Sequence, residues 1–153
     1  MKILVTSDSH GRLDKLEKIV SQHKNSDLFV FLGDGLRDAE RVFANYPDTP
    51  HYIVPGNCDF LKDGYLPVST LDLEGTKIVC CHGHTFGVKS GISAYRDYAE
   101  KKGAAAALFG HTHRQFEMNC DGVIMFCPGA VRDGSFGLVY IEKGGILCSH
   151  GNL

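Results

Sequence analysis

A layered α/β sandwich is the fold that this sequence predicts, and three observations predict it. Apolar runs alternate with amphipathic stretches in the first half, short strands separated by glycine-bearing turns fill the last third, and five apolar runs end in polar, glycine-bearing segments. The first pattern makes βαβ units with parallel strands, and the second makes antiparallel hairpins. Two such sets of strands bury their apolar faces by packing on each other, with helices outside.

Ile3 to Val5 reads as a strand; Leu13, Leu16, Ile19 and Val20 recur at helical spacing, and Leu28 to Leu32 is a second apolar run. Together they form a βαβ unit. Leu36 to Phe43 predicts another helix, whose Asp38 and Glu40 favour its start by facing the positive end of the helix dipole. His51 to Val54 is a strand closed by Pro55-Gly56. Leu71 to Cys80 reads as two short strands around Glu74-Gly75, and residues 90 to 102 as a helix leading into Ala105 to Phe109. In the last third, Gln115 to Met118, Val123 to Phe126, Leu138 to Ile141 and Ile146 to Cys148 are short alternating strands, with Asp121-Gly122 and Gly144-Gly145 as hairpin turns. Parallel strands are thus expected to dominate the first half and antiparallel strands the second. With no repeat, linker or low-complexity stretch, one domain over residues 1–153 is expected.

A chain of 153 residues, 43% of them hydrophobic, suits one core and not two. Sixteen basic against eighteen acidic side chains leave a formal charge of -2, which excludes bulk attraction to nucleic acid or an anionic membrane. Polar residues follow Ile3-Leu4-Val5 too soon for a signal peptide, and no run approaches the roughly twenty residues of a membrane span, so a cytoplasmic location is expected. The six cysteines, Cys58, Cys80, Cys81, Cys120, Cys127 and Cys148, lack Cys-x-x-Cys spacing and are expected as reduced thiols, with Cys80 and Cys81 on opposite faces of one strand.

The chemistry is carried by Asp8-Ser9-His10, Gly33-Asp34, Gly56-Asn57-Cys58-Asp59, His82-Gly83-His84 and Gly110-His111-Thr112-His113. Each follows an apolar run, so a buried strand delivers it to one sheet edge, where the loops leaving parallel strands gather in a crevice. Carboxylates, imidazoles and an amide are ligands that borderline divalent metals accept. Asp8 and His10 are two apart, as are His111 and His113, so an extended backbone places each pair on one side. A lone aspartate after a strand is more often a turn or cap residue, and Asn57 alone reads as a turn residue. Two imidazoles after an apolar run have fewer structural uses, and the joint pattern decides for metal. Asp34 closes a nearly all-apolar run, where an unpaired carboxylate is costly unless a cation stands beside it.

In this order the five segments resemble those of the calcineurin-like metallophosphoesterase superfamily, specifically its small single-domain phosphodiesterase branch; the eukaryotic retromer subunit of the same fold is also similar. The resemblance covers essentially the whole chain. It implies an αββα sandwich of two mixed sheets flanked by helices, two divalent metal ions, and hydrolysis of a small phosphodiester by a metal-bridging hydroxide. Carried over by motif, Asp8, His10, Asp34 and His113 would hold one ion, and Asp34, Asn57, His82 and His111 the other, with Asp34 bridging. Asp34 and Asn57 are also the catalytic candidates, since the Asn57 amide can ligate metal while its NH2 donates to phosphate. Asp59, His84 and Thr112 are expected to fix the imidazoles from outside, with Cys58 beside them. Mn2+ is the expected metal, although Zn, Fe and Ni suit the same oxygen and nitrogen set. The alternative is a protein-interaction scaffold on the same fold with a little-used metal site. Exposed strands in so small a domain also admit a homodimer.

Two departures bear on substrate. Cys58 stands where many superfamily members carry a histidine that acts on the leaving group, and a thiol of reference pKa about 8.5 is a poor proton donor near neutrality. Activated phosphodiesters are therefore expected to be hydrolysed better than alkyl phosphomonoesters; otherwise Cys58 packs small and apolar under the metals. Cys127-Pro128-Gly129-Ala130 replaces a more usual Asn-Pro-Gly-Ser, and the nearby Arg132 reads as a surface arginine. His23, His51 and His150 lie outside every motif; Arg96, Asp97, Glu100, Lys101 and Lys102 make a solvated helix face, with Tyr95 and Tyr98 at the core edge.

Overall fold

A computed structural model describes residues 1–60 and 63–153. Its strands are β1 (Lys2–Thr6), β2 (Leu28–Phe31), β3 (His51–Ile53), β4 (Val68–Leu73), β5 (Thr76–Cys81), β6 (Ala106–Leu108), β7 (Gln115–Cys120), β8 (Val123–Pro128), β9 (Ser135–Glu142) and β10 (Gly145–Asn152). The helices are α1 (Leu13–Gln22), α2 (Leu36–Phe43) and α3 (Ser93–Lys101).

The strands form two five-stranded mixed sheets, in the orders β10-β9-β1-β2-β3 and β4-β5-β6-β8-β7. Strand periodicity sorts the side chains between three apolar layers. Ile3, Val5, Val30, Ile78, Cys80, Leu108 and Val139 meet between the sheets. Leu4, Phe29 and Phe31, one residue out of step, pack under α1 and α2, whereas Val79, Cys81 and Ala107 pack with Tyr95 and Ala99 of α3. This is the αββα sandwich, and Cys80 and Cys81 do face opposite ways. All six cysteines are free thiols.

Three expectations need correction. The strands of the second half are not simply antiparallel: β5, β6 and β8 run parallel at the centre of their sheet. A tight hairpin settles which strand lies on one side of β8, and its residue pattern leaves the other neighbour open. The β9-β10 hairpin then returns to the first sheet, where β9 pairs antiparallel with β1. The turn of that hairpin is Lys143-Gly144, because Gly145 already pairs with Glu142. Tyr95 is wholly buried rather than at the core edge, its hydroxyl donating toward the carbonyls of Val79 and Leu108 at 3.0 and 2.9 Å. Those two acceptors satisfy the polar atom that would otherwise hold a tyrosine near water.

Candidate metal centre

All five polar segments follow strands that have parallel neighbours: β1, β2, β3, β5 and β6. They do not leave them extended. Asp8, His10, Asp34, His111 and His113 have φ of 56°, 46°, 59°, 66° and 60°, whereas the other left-handed non-glycine residues described, Glu74 and Asp121, sit in two-residue hairpin turns. Each such residue costs about 1 kcal/mol or more, and persists only where its surroundings over-determine it. The paired residues therefore approach one point through chain reversal, which corrects the extended geometry expected from their spacing. Close packing fixes the reversal. A Cβ on Gly56 would overlap Asp34 Oδ1, and one on Gly110 would overlap Ser7 Oγ.

The two carboxylates are built alike, each with one oxygen anchored and one aimed at imidazoles. Asp8 Oδ2 accepts from Ser7 Oγ at 2.6 Å and from the His111 amide at 3.0 Å. Its Oδ1 lies 3.1 Å from His113 Nε2 and 3.7 Å from His10 Nε2. Asp34 Oδ1 accepts from the Cys58 amide at 2.7 Å, while Oδ2 lies 3.4 Å from His82 Nε2 and 3.8 Å from His10 Nε2. His82 Nδ1 is 2.6 Å from the Leu32 carbonyl and donates to it, since a carbonyl only accepts. That bond assigns the tautomer that leaves the Nε2 lone pair of a neutral ring facing the cluster.

Donor atoms of Asp8, His10 and His113 lie within 4.8 Å of one another, as do those of Asp34, His82 and His111, and those of His10, Asp34 and Cys58. Asp8 Oδ1 and His82 Nε2 are buried without a hydrogen-bond partner among the described residues, and His10 Nε2 faces His113 Nε2 at 3.2 Å. A bare carboxylate oxygen and converging imidazole nitrogens are what a divalent cation satisfies, so the donor set fits such an ion.

Burial raises the Asp8 pKa, against the pull of His82 and Ser7. At Asp34 burial pushes the same way but is outweighed by the nearby His82 ring and the hydrogen bond from the Cys58 amide, which hold the carboxyl well below the usual range. For His82, burial disfavours the charged ring, yet Asp34 and Asp8 overcome it and raise the pKa. Burial, followed by the His82 charge, lowers His111 to about 4. His82 and His111 thus differ in proton affinity because His82 lies within 4.0 Å of both carboxylates, whereas His111 makes no ion pair with either among the described residues.

Asp59, Thr112 and Cys58 act differently from expectation, whereas His84 does lie against the imidazoles. Asp59 contacts backbone, not imidazoles: it accepts from the amides of Asp34, Gly35 and Leu36 at 2.9 Å each and from that of Gly56 at 2.7 Å. One carboxylate therefore caps α2 and ties the loop after β2 to the loop after β3. Thr112 bonds the Arg114 backbone and Cys127 Sγ. His84 lies ring to ring against His82 and His111, with centroids 5.4 and 6.2 Å away. Cys58 is exposed and does not pack beneath the donors; Asn57 beside it is exposed, with Nδ2 3.3 Å from Cys58 Sγ.

Sequence reasoning missed Ser7, the Leu32 carbonyl and Asp38, whose Oδ2 accepts from Ser9 Oγ and the Gly11 amide and so pins the loop carrying His10. A serine beside Asp8 was a readable signal, whereas a carbonyl acceptor carries none. The other histidines are structural: His23 leans on Phe136, His51 on Phe43, and His150 stacks on Phe126 with Nε2 2.9 Å from the Cys127 carbonyl. Arg132 is exposed and paired with Asp133.

Residues 1–143 match the profile of the calcineurin-like phosphoesterase superfamily domain, so the chain belongs to that superfamily of phosphoesterases. Among curated relatives, the probable metallophosphoesterase YsnB of Bacillus subtilis is 32% identical over 133 residues, spanning 86% of this chain and 76% of the relative. The phosphodiesterase YfcE of Escherichia coli is 26% identical over 175 residues, spanning 100% of this chain and 87% of the relative. Of the solved structures, a predicted phosphoesterase from Streptococcus pneumoniae superposes with a TM-score of 0.84 at 25% identity, covering 99% of this chain and 88% of that one. Zinc-complexed Vps29 of Entamoeba histolytica shares the fold, with a TM-score of 0.77 at 18% identity and 99% of each chain covered.

Proposed function

We propose that this protein hydrolyses small phosphodiesters with two divalent cations, Mn2+ in the first instance. The observation that carries this reading is the pair of adjoining donor groups, Asp8-His10-His113 and Asp34-His82-His111. Asp34 joins them, because its free oxygen faces both His10 and His82. Asn57, exposed beside Cys58, would complete the second group as a neutral oxygen ligand, its NH2 turning from Cys58 Sγ to a phosphate oxygen. Bound in this cluster, two such ions would polarise the phosphate, lower the pKa of a water and offset the charge that builds in the transition state. The chain's own contribution is orientation: Ser7 and the His111 amide aim Asp8, the Cys58 amide aims Asp34, and Leu32 sets the His82 tautomer.

Partial burial and then the Asp34 carboxylate raise the pKa of the Cys58 thiol, which weakens it further as an acid. Leaving groups that depart without a proton are therefore the suitable ones. The free cysteines suit a reducing, cytosolic setting. The outer strands β7 and β10, with exposed Met118 and Leu147, are the edges through which a homodimer would form. A scaffold role on the same fold leaves the buried Asp8 Oδ1 and His82 Nε2 without a hydrogen-bond partner among the described residues.

Metal analysis of the purified protein, with rates on a nitrophenyl phosphodiester and an alkyl phosphomonoester before and after chelation, tests the reading. The expected outcome is diester hydrolysis lost on chelation and restored by Mn2+, with little monoester turnover. A rate indifferent to metal sinks the proposal, and a monoester preference sinks its substrate assignment.

A further inference from the structure

A cavity of about 470 Å³ lies against the loop that carries His111 and His113, and a second of about 370 Å³ opens onto His10, Asp34 and Cys58. Its apolar lining is Val88, Ile92, Phe109 and Phe116, joined by the exposed cationic side chains of Lys89 and Arg114. Thr112 lines it too, and because Thr112 stands between His111 and His113 the cavity and the donor cluster share one loop. Phe109 is buried and edge-on to the buried Tyr95, so this side of the cavity is part of the core under α3. The arginine ion pairs among the described residues belong to Arg12, Arg96 and Arg132 and involve neither Arg114 nor Lys89.

Apolar walls of this extent repel a bare ion and suit a flat ring, while uncommitted cations beside them suit the negative charge of a phosphate. The volume falls in the range of small-molecule sites, roughly 300–1,000 Å³. We propose that the cavity receives an apolar, ring-bearing ester arm of the phosphodiester whose phosphate lies at the donor cluster, with Lys89 and Arg114 offsetting the phosphate charge. The proposal rests on the phosphodiesterase reading and adds a substrate class to it: diesters carrying an aromatic or heteroaromatic group.

Phenylphosphonate and methylphosphonate share one phosphorus head group and differ only in the ring. Titration calorimetry on the metal-loaded full chain is expected to give phenylphosphonate about tenfold tighter binding or more. In the Zn-loaded protein, the methyl resonances of Val88 and Ile92 are expected to shift with phenylphosphonate and to stay in place with methylphosphonate. Ile92→Trp fills the cavity and should bring the two affinities within about twofold. Ile92→Ala, measured in parallel, removes wall area and should reduce the ring preference if the larger side chain prevents folding. Equal binding of both phosphonates by the unmodified protein, or ring-induced shifts confined to another face, overturns the cavity assignment while metal-dependent hydrolysis stands. Absence of metal-dependent hydrolysis overturns the phosphodiesterase reading, and this assignment with it.

Discussion

The two halves of the donor cluster are held in different ways. His82 is fully buried, donates to Leu32 and faces both carboxylates, so its half is arranged by the protein interior. His10 and His113 are 26% and 29% exposed at the side chain and meet each other at 3.2 Å, so their half lies at the rim. Preorganisation follows burial here: the inner imidazole is orientated before any ion arrives, and the outer pair is completed by what binds between them.

Asp34 serves both halves, and its loss should have the largest effect. Asp34→Asn is expected to reduce diester hydrolysis to background and to lower the metal content of the purified protein below two ions per chain. Full metal loading with retained hydrolysis would deny that the halves share this residue. Asp59→Ala comes next. It strips four backbone amides of their acceptor and should cost about 2–4 kcal/mol in urea unfolding, with metal affinity down about 10–100-fold through the loosened loops; an unchanged unfolding midpoint would contradict its role as a tie.

A paired substitution sharpens the contrast directly. Both His82→Ala and His113→Ala should weaken metal binding, but in the metal-free protein only the first is expected to lower stability appreciably, by about 1–3 kcal/mol, because it leaves a buried hole and an unpaired Leu32 carbonyl. His113→Ala should stay within about 0.5 kcal/mol. Equal losses would erase the distinction between interior and rim.

The smallest expected effect is in pH. The raised folded pKa of His82 contributes stability that is fully present below the unfolded value of about 6.5 and is lost as pH rises through the folded pKa. Stability of the metal-free protein should therefore decline across that window, with Asp8, also raised, acting in the same direction at lower pH. The depressed Asp34 acts oppositely: its contribution is present above about pH 4 and lost as pH falls through its folded pKa. Metal needs the neutral His82 ring, so the rise in Tm on adding Mn2+ should grow as pH increases over the His82 window. Thermal unfolding with and without metal checks both trends, and His82→Ala should flatten the first.

Much of this was legible in the residues themselves. The strand ends are visible as apolar runs stopping at Asp8, Asp34, Asn57, His82 and His111, because a buried strand tolerates few polar side chains until it emerges. Less legible was how the donors are held. The Asp8–His10 spacing suggests extended backbone, whereas both residues are left-handed, since chain reversal depends on tight contacts such as that of Gly110 with Ser7. Asp59 stands out by its motif, but nothing in its neighbours on the chain announces amides 23 to 25 positions away.

From the amino-acid order alone came the layered α/β class, the five donor segments and the metal chemistry that suits them, since periodicity and ligand type are local properties of the chain. Tertiary structure alone decided that β8 lies beside β6, that β9 and β10 complete the first sheet, and that Leu32 and Asp59 orientate the cluster. Those outcomes depend on which edge or amide a distant segment reaches in space, and a hydrogen bond between residues far apart in sequence leaves no periodic trace at either end.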